Sequence, residues 1–277
     1  MKQVSLFFPL LLLLAACESK KPEQQSVAGA DTLAYTIKGD SVRSQLCVRP
    51  DSLCARAQFT YPVFEGNQVL TDSLLRHSVA ASGYLDNPDA TAAQAKASPT
   101  QVVQDFVKDF DTFIADQRKR FPNEPVMGSA WETDIRTQVL HQTPQCIAAA
   151  TLTYNYSGGA HPNTNLVYVN LTPKGHQLTL NELFKPGYEK TLAATAEKLF
   201  RTQEGLKAGD PYGEKYFFEN NAFALNDNFS IRPEGLLFRY NPYEIKAYAE
   251  GPTELLIPYA ELTSIINTDG VLKSFVK

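Results

Sequence analysis

The sequence contains few of the residues from which short catalytic or metal-binding motifs are built. It has four histidines and four cysteines, and no two histidines are close enough for an HxH or HExxH metal pair. A GxSxG nucleophile elbow and the lysine and Ser/Thr pattern of a P-loop are also absent. We therefore expect no metal, no cofactor and no catalytic residue of these recognisable kinds.

Positive charge is not in excess either. The 26 lysines and arginines are outnumbered by 30 aspartates and glutamates, which gives a formal net charge of -4 at pH 7. Domains that bind nucleic acid usually carry a clustered basic surface. The charge balance therefore argues against a nucleic-acid partner.

Only one long apolar run is present, and it lies at the N-terminus. It extends over residues 4–16, which is shorter than the roughly 20 residues that cross a bilayer as a helix. The run ends in Leu-Ala-Ala-Cys17, and small residues followed by a cysteine are typical of a bacterial lipobox. The pattern predicts a signal peptide over residues 1–16 and lipid attachment at Cys17. A plain signal peptide with an incidental cysteine is the alternative.

The polar stretch that follows contains almost no large apolar residue. A segment of this composition buries too little surface to order itself, so residues 17–30 are expected to form a flexible tether. These features predict a lipid-anchored protein of the cell envelope, on the periplasmic or outer-membrane face.

Three further cysteines follow in a compartment that tolerates disulfides. Cys47 and Cys54 enclose Val-Arg-Pro-Asp-Ser-Leu, a turn-forming insert, and we predict a disulfide between them across a hairpin. Cys146 lies on an apolar strand and is expected to be a buried thiol. The alternative, a metal site made by all three cysteines, lacks the close ligand pairs of tetrahedral zinc sites.

Strand and helix patterns come in blocks along the rest of the chain. Alternation with period two predicts strands near residues 33–37, 57–63, 131–139, 146–156 and 166–171, and helical spacing predicts helices near 67–80, after Ser98 and near 188–199. Ser98, Pro99 and Gln101 indicate a capping box at the start of the second helix. The block arrangement favours the α+β class, as an antiparallel β-meander with packed helices. We expect two consecutive α+β domains, over residues 31–170 and 171–277.

A loop of unusual composition connects two of the predicted strands. Gly158 and Gly159 permit backbone angles that side chains resist, while Pro162 restricts His161 to extended conformations. Three roles are open for His161: a structural hydrogen bond, contact with a ligand, and catalysis. A nucleophilic triad would need a serine or cysteine and a carboxylate beside the histidine, and the nearby Ser157 lies in no elbow motif.

Tyrosines are concentrated near the C-terminus, where they are interleaved with proline and glycine. Tyrosine offers a large contact area at a low entropy cost and is enriched at binding surfaces. The candidate binding residues are Gly158, Gly159 and His161 of the loop together with Tyr243, Tyr248, Gly251, Pro258 and Tyr259. The alternative is that these tyrosines line a small core, with their hydroxyls at its edge.

Two segments resemble a known family. YSGGAHPNTNLVYVNLTPKGHQLTLNELF is similar to the GGAH motif, strand, glycine turn and helix start of the extracytoplasmic region of RsiV-like proteins. LFRYNPYEIKAYAEGPTELLIPYAEL is similar to the C-terminal signature of the same region. Upstream, FTYPVFEGNQVLTDSLL resembles the start of the companion domain that precedes the catalytic domain in some PdaC-type peptidoglycan deacetylases.

The resemblance implies a pair of α+β domains outside the cell membrane, without a catalytic apparatus. In RsiV this region is the sensor of an anti-sigma factor and binds lysozyme. The chain lacks the transmembrane helix and the sigma-binding segment of that pattern, and also the metal-binding deacetylase domain. Pro162 stands where some family members have glycine. We therefore transfer neither the anti-sigma role nor the deacetylase activity.

The favoured interpretation is a non-enzymatic, lipid-anchored envelope protein that binds a protein or glycan partner. Lysozyme-like muramidases are the most concrete candidate, and another envelope protein or peptidoglycan is also considered. The competing interpretation is an enzyme acting on cell-wall glycan, either deacetylase-like or a hydrolase. These enzymes would need a set of metal ligands or two carboxylates at a defined separation. A purely structural lipoprotein is the third possibility.

Overall fold

The computed structural model describes residues 32–49, 52–83 and 97–276. The expected signal peptide and tether, with Cys17, lie outside these residues. Within the described ranges, no helix combines the length and the apolar character needed to cross a membrane.

The described residues form two sheets and several helices, in two consecutive domains. In chain order the elements are β1 (Tyr35–Arg49), β2 (Ser52–Phe64), α1 (Gln68–Ala81), α2 (Pro99–Arg120), β3 (Glu132–Gln142), β4 (Ile147–Tyr156), β5 (Asn163–Leu171), α3 (Leu180–Leu183), α4 (Glu189–Gln203), β6 (Phe229–Ile231), β7 (Gly235–Tyr240) and β8 (Thr253–Pro258). Strands and helices are grouped in blocks, which confirms the α+β class.

The first sheet has the strand order β1-β2-β3-β4-β5. Strands β3, β4 and β5 form the expected antiparallel meander, but β2 pairs with β3 in parallel. A parallel pair needs a long crossover connection, and α1 and α2 lie in this one. The sheet is therefore mixed, and both helices pack against one of its faces.

Helix α2 begins at the predicted cap and covers the sheet with its apolar stripe. The Ser98 hydroxyl accepts a hydrogen bond from the Gln101 N–H at 3.2 Å. The Gln101 side chain does not complete the capping box, because it donates to Asp105 at 2.7 Å instead. Phe110 and Ile114 of the stripe are fully buried in the core between α2 and the sheet.

The cysteines lie as the sequence predicts. Cys47 and Cys54 are joined by a disulfide near the tip of the β1–β2 hairpin. Cys146 is a free, buried thiol, and burial raises its pKa to about 12. It precedes β4 and belongs to the core of the second domain rather than to the core under the helices.

The second domain packs on the face of β4 and β5 that the helices leave free. Its sheet has the order β6-β7-β8, and α4 packs against β8. Residues at the start of β4 show the division: Ile147 and Ala149 pack with α1, whereas Cys146, just before the strand, packs with the second domain. The end of the first sheet near Cys146 is thus buried on both faces.

Three asparagines connect the free edge of β5 to the second domain. The Leu166 and Tyr168 N–H groups donate to the side-chain oxygens of Asn241 and Asn228, each at 2.8 Å. In the other direction, the Asn170 amide donates to the Phe229 carbonyl at 2.9 Å and accepts from the Ile231 N–H at 2.8 Å. We call Asn170, Asn228 and Asn241 the asparagine joint.

Asn170→Ala should destabilise the protein by about 2–4 kcal/mol, because it leaves a buried carbonyl and a buried N–H without partners. Urea unfolding measures this loss. Asn165→Ala is the control, since Asn165 lies exposed on the same strand, and it should change stability by less than about 0.5 kcal/mol. A loss of less than about 0.5 kcal/mol in Asn170→Ala would contradict a stabilising role of the Asn170 hydrogen bonds.

Candidate functional site

The connection from β4 to β5 is shaped by two glycines. Gly158 and Gly159 have φ angles of 100° and 102°, which L side chains rarely adopt. A Cβ at Gly159 would meet no atom within 4 Å, so the backbone conformation and not the space requires glycine there. The Tyr156 hydroxyl donates to the Gly159 carbonyl at 3.1 Å. The loop therefore has a defined shape, with His161 exposed upon it.

His161 makes one hydrogen bond within its loop and one to the C-terminal segment. Its Nδ1 lies 2.9 Å from the Pro162 carbonyl, and a carbonyl only accepts, so Nδ1 carries the hydrogen. In the neutral ring Nε2 is then an acceptor, and the Tyr243 hydroxyl donates to it at 3.1 Å. The histidine thus links two segments that are far apart in sequence.

Tyr248 packs its ring against His161. The two ring centroids are 4.0 Å apart and the planes are inclined by 19°. The Tyr248 hydroxyl donates to the Pro162 carbonyl at 2.8 Å. Gly251, with a φ of 68°, ends the short 3-10 turn that carries Tyr248. This glycine lets the chain leave the turn without disturbing the stacked ring.

Tyr243 is exposed and has a strained backbone. Its φ is 69°, an unusual value for a bulky residue, and conformations of this kind cost on the order of 1–3 kcal/mol. The side chain is nevertheless 55% exposed. The Asn241 N–H fixes the turn by donating to the Glu244 carboxylate at 2.8 Å. Strain held at an exposed aromatic residue makes this surface a candidate functional site. We call His161, Tyr243 and Tyr248 the aromatic patch.

The structure brings together six of the eight residues that the sequence singled out for binding. Pro258 and Tyr259 do not join them. Pro258 ends β8 opposite Gly235, and Tyr259 is only 6% exposed. The Tyr259 hydroxyl donates to the Arg232 carbonyl at 2.8 Å, which is the core role considered as the alternative for these tyrosines.

A second surface was not identified from the sequence. It lies on the open face of β1, β2 and β3, and it forms a basin of about 540 Å³. Its polar side chains are Ser41, Arg43, Arg56, Gln58, Glu132, Asp134 and Arg136. Alternation along β3 puts Glu132, Asp134 and Arg136 on one face, but no local sequence pattern indicates that β2 lies beside them. We call this surface the polar basin.

The aromatic patch contains no recognisable catalytic arrangement. His161 contacts Pro162, Tyr243 and Tyr248, and these contacts include neither a serine or cysteine nucleophile nor an orienting carboxylate. Within residues 32–49, 52–83 and 97–276, no group of three or more histidine, cysteine and acidic side chains is placed to hold a metal ion. The geometry of the aromatic patch is that of a contact surface.

Tyr248→Ala should loosen the His161 loop without unfolding the protein. It removes both the stacked ring and the bond to Pro162, so amide hydrogen exchange in residues 157–163 should accelerate by about tenfold, equivalent to roughly 1.4 kcal/mol. Tyr248→Phe keeps the ring and should give a smaller acceleration. If exchange in the loop is unchanged in Tyr248→Ala, the stack does not hold the loop.

Comparison with known protein families identifies two domains in this chain. Residues 50–164 match the family described as Deacetylase PdaC, and residues 181–260 match a family described as a protein of unknown function (DUF3298). The aromatic patch draws residues from both matched regions, because His161 lies in the first and Tyr243 and Tyr248 lie in the second. The expected division after residue 170 stays a prediction.

Two solved structures share the fold. A DUF3298 family member from Bacteroides fragilis superposes with a TM-score of 0.65 at 21% identity, covering 88% of this chain and 98% of that one. A DUF3298 family protein from Pseudomonas aeruginosa gives a TM-score of 0.56 at 16% identity, covering 86% and 95%. No protein of curated function matches the sequence significantly. The chain therefore carries a PdaC domain followed by a DUF3298 domain, a combination that indicates an extracytoplasmic protein of the cell envelope.

Proposed function

We propose that this is a non-enzymatic, lipid-anchored envelope protein whose aromatic patch binds a protein partner. The observation that supports the proposal is the preformed state of the patch. Gly158 and Gly159 permit the positive φ angles of the loop and Pro162 restricts His161 to extended conformations. Tyr248 is stacked on His161, and Tyr243 is held exposed in a strained conformation. A preformed surface loses little conformational entropy on binding, and tyrosines often dominate binding energy.

Lysozyme-like muramidases are the most concrete partner. The patch is flanked by the exposed carboxylates of Glu244 and Glu250, and the chain has a net charge of -4. A basic protein is therefore favoured by charge complementarity. The likeness of the loop and of the C-terminal segment to RsiV-like proteins supports the same choice.

The membrane attachment in this proposal rests on the lipobox at Cys17. Acyl chains on this cysteine anchor the protein after the apolar run has been removed. Mass spectrometry of the protein from the envelope fraction should therefore show an acylated N-terminal Cys17, and Cys17→Ser should accumulate as unprocessed precursor. An unmodified mature N-terminus downstream of Cys17 would identify an ordinary secreted protein.

Partner binding is measured with the protein lacking residues 1–30 and a panel of immobilised lysozymes. Because two central contacts are lost, the double variant His161→Ala/Tyr243→Ala should bind at least about tenfold more weakly. Phe217→Ala is the control, because Phe217 is 54% exposed but lies outside the patch, and it should bind like the wild type.

Two outcomes would contradict this function. The first is a wild-type protein that binds no lysozyme in the panel. The second is a wild-type protein that deacetylates or cleaves a muropeptide and loses this turnover in folded His161→Ala, which would establish the competing enzyme.

A further inference from the structure

The polar basin contains two arginines that lie opposite each other, and its acidic side chains do not pair with both. Arg43 and Arg56 are direct partners across the β1–β2 pair, so their side chains leave the sheet on the same face. Like charges directly opposite each other destabilise a sheet. The fold therefore places two like charges opposite each other on an open surface.

Only one of these two arginines has an acidic partner. Glu132 accepts from Arg56 at 2.7 Å, and this hydrogen bond raises the pKa of the guanidinium. Asp134 is occupied by Arg136, whose Nε donates to it at 2.9 Å. Within the described residues no acid lies at ion-pair distance from Arg43, which donates only weakly to the Cys54 sulfur at 3.5 Å. The guanidinium of Arg43 is therefore available to bind an anion from solution.

Aromatic rings continue the basin along the same face. Tyr156 is the register partner of Glu132, and Tyr154 is the register partner of Asp134, so both partly exposed rings stand on the same face of the sheet as the two carboxylates. The C–H groups on one face of a sugar ring are weakly positive and suit the negative face of an aromatic ring. The basin therefore combines the guanidinium of Arg43, which has no acidic partner among the described residues, with aromatic rings on the same face.

We propose that the polar basin binds an acidic saccharide, a pyranose that carries a carboxylate. Arg43 and Arg56 receive the carboxylate, for which the planar guanidinium is the best-matched donor. Gln58, Glu132 and Asp134 bind the ring hydroxyls, which need acceptors as well as donors. The volume of about 540 Å³ lies within the range of small-ligand sites, roughly 300–1,000 Å³.

The two carboxylates also favour a saccharide over other anions. A densely charged polymer such as nucleic acid would meet repulsion from Glu132 and Asp134, whereas a sugar uses both as hydroxyl acceptors. The proposal can be tested separately from the protein partner, because the lining residues of the basin lie outside the aromatic patch and the arginine substitutions leave Tyr156, whose hydroxyl bonds to the His161 loop, unchanged.

The test is calorimetric titration of the full-length protein, in neutral detergent and at low salt, with tetragalacturonate and with the neutral cellotetraose. Tetragalacturonate should bind at least about tenfold more tightly. Arg43→Gln/Arg56→Gln should weaken its binding by at least about tenfold. Arg76→Gln is the control, because Arg76 lies exposed on α1, on the opposite face, and it should leave binding within about twofold.

A parallel titration with N-acetylmuramic acid shows whether a carboxylate on a lactyl group binds as tightly as a carboxylate attached directly to the sugar ring. The proposal is overturned if neither acidic sugar binds more tightly than the neutral one, or if the double arginine variant binds like Arg76→Gln. Lysozyme capture by the double arginine variant should equal that of the wild type. This measurement separates a failure of the basin from a failure of the aromatic patch.

Discussion

The hydrogen bonds between the asparagine joint and β5 determine how the two domains are arranged. An edge strand presents N–H and C=O groups that need partners, and a side-chain amide offers the same donor and acceptor as a peptide group. Asn228 and Asn241 therefore take the place of a neighbouring strand along Leu166 and Tyr168. Asn241 lies two residues before Tyr243, so the same contact that closes the edge places the tyrosine against His161. The aromatic patch is a consequence of the joint.

The joint also explains why the polar basin is open. The second domain is fixed along β5 and covers the nearby part of the sheet, where Tyr168 and Asn170 are buried. Farther from β5, the same face of β1, β2 and β3 has no covering element among the described residues, and it carries charged side chains instead of apolar ones. One face of a single sheet thus provides both a domain interface and a polar surface.

Local sequence patterns predicted the longer helices, the strands of the meander and the disulfide, because periodicity, caps and turn residues act over a few positions. They predicted only the start of β1, which continues to Arg49. They also singled out His161, Tyr243 and Tyr248, since glycine, proline and tyrosine mark shaped surfaces. The contact between these residues was not predictable from local patterns. It depends on the hydrogen bonds that asparagine side chains make to β5 and on the positive φ angle of Tyr243. The polar basin was missed for a similar reason. Arg56 and Glu132 lie on strands that are separated in sequence by two helices. Alternation within one strand does not show which other strand lies beside it.

The parallel pairing of β2 with β3 has a consequence for the order of folding. The hydrogen-bonded residues Arg56 and Glu132 are 76 positions apart, so the hairpin of β1 and β2 finds its neighbouring strand only after both helices have been synthesised. Contacts of such long range slow folding, because a large loop must close before they form. Until then β2 has an unpaired edge that invites association with other chains. The hairpin of β1 and β2 is therefore the part of the chain most exposed to association with its own copies until β3 has joined the sheet.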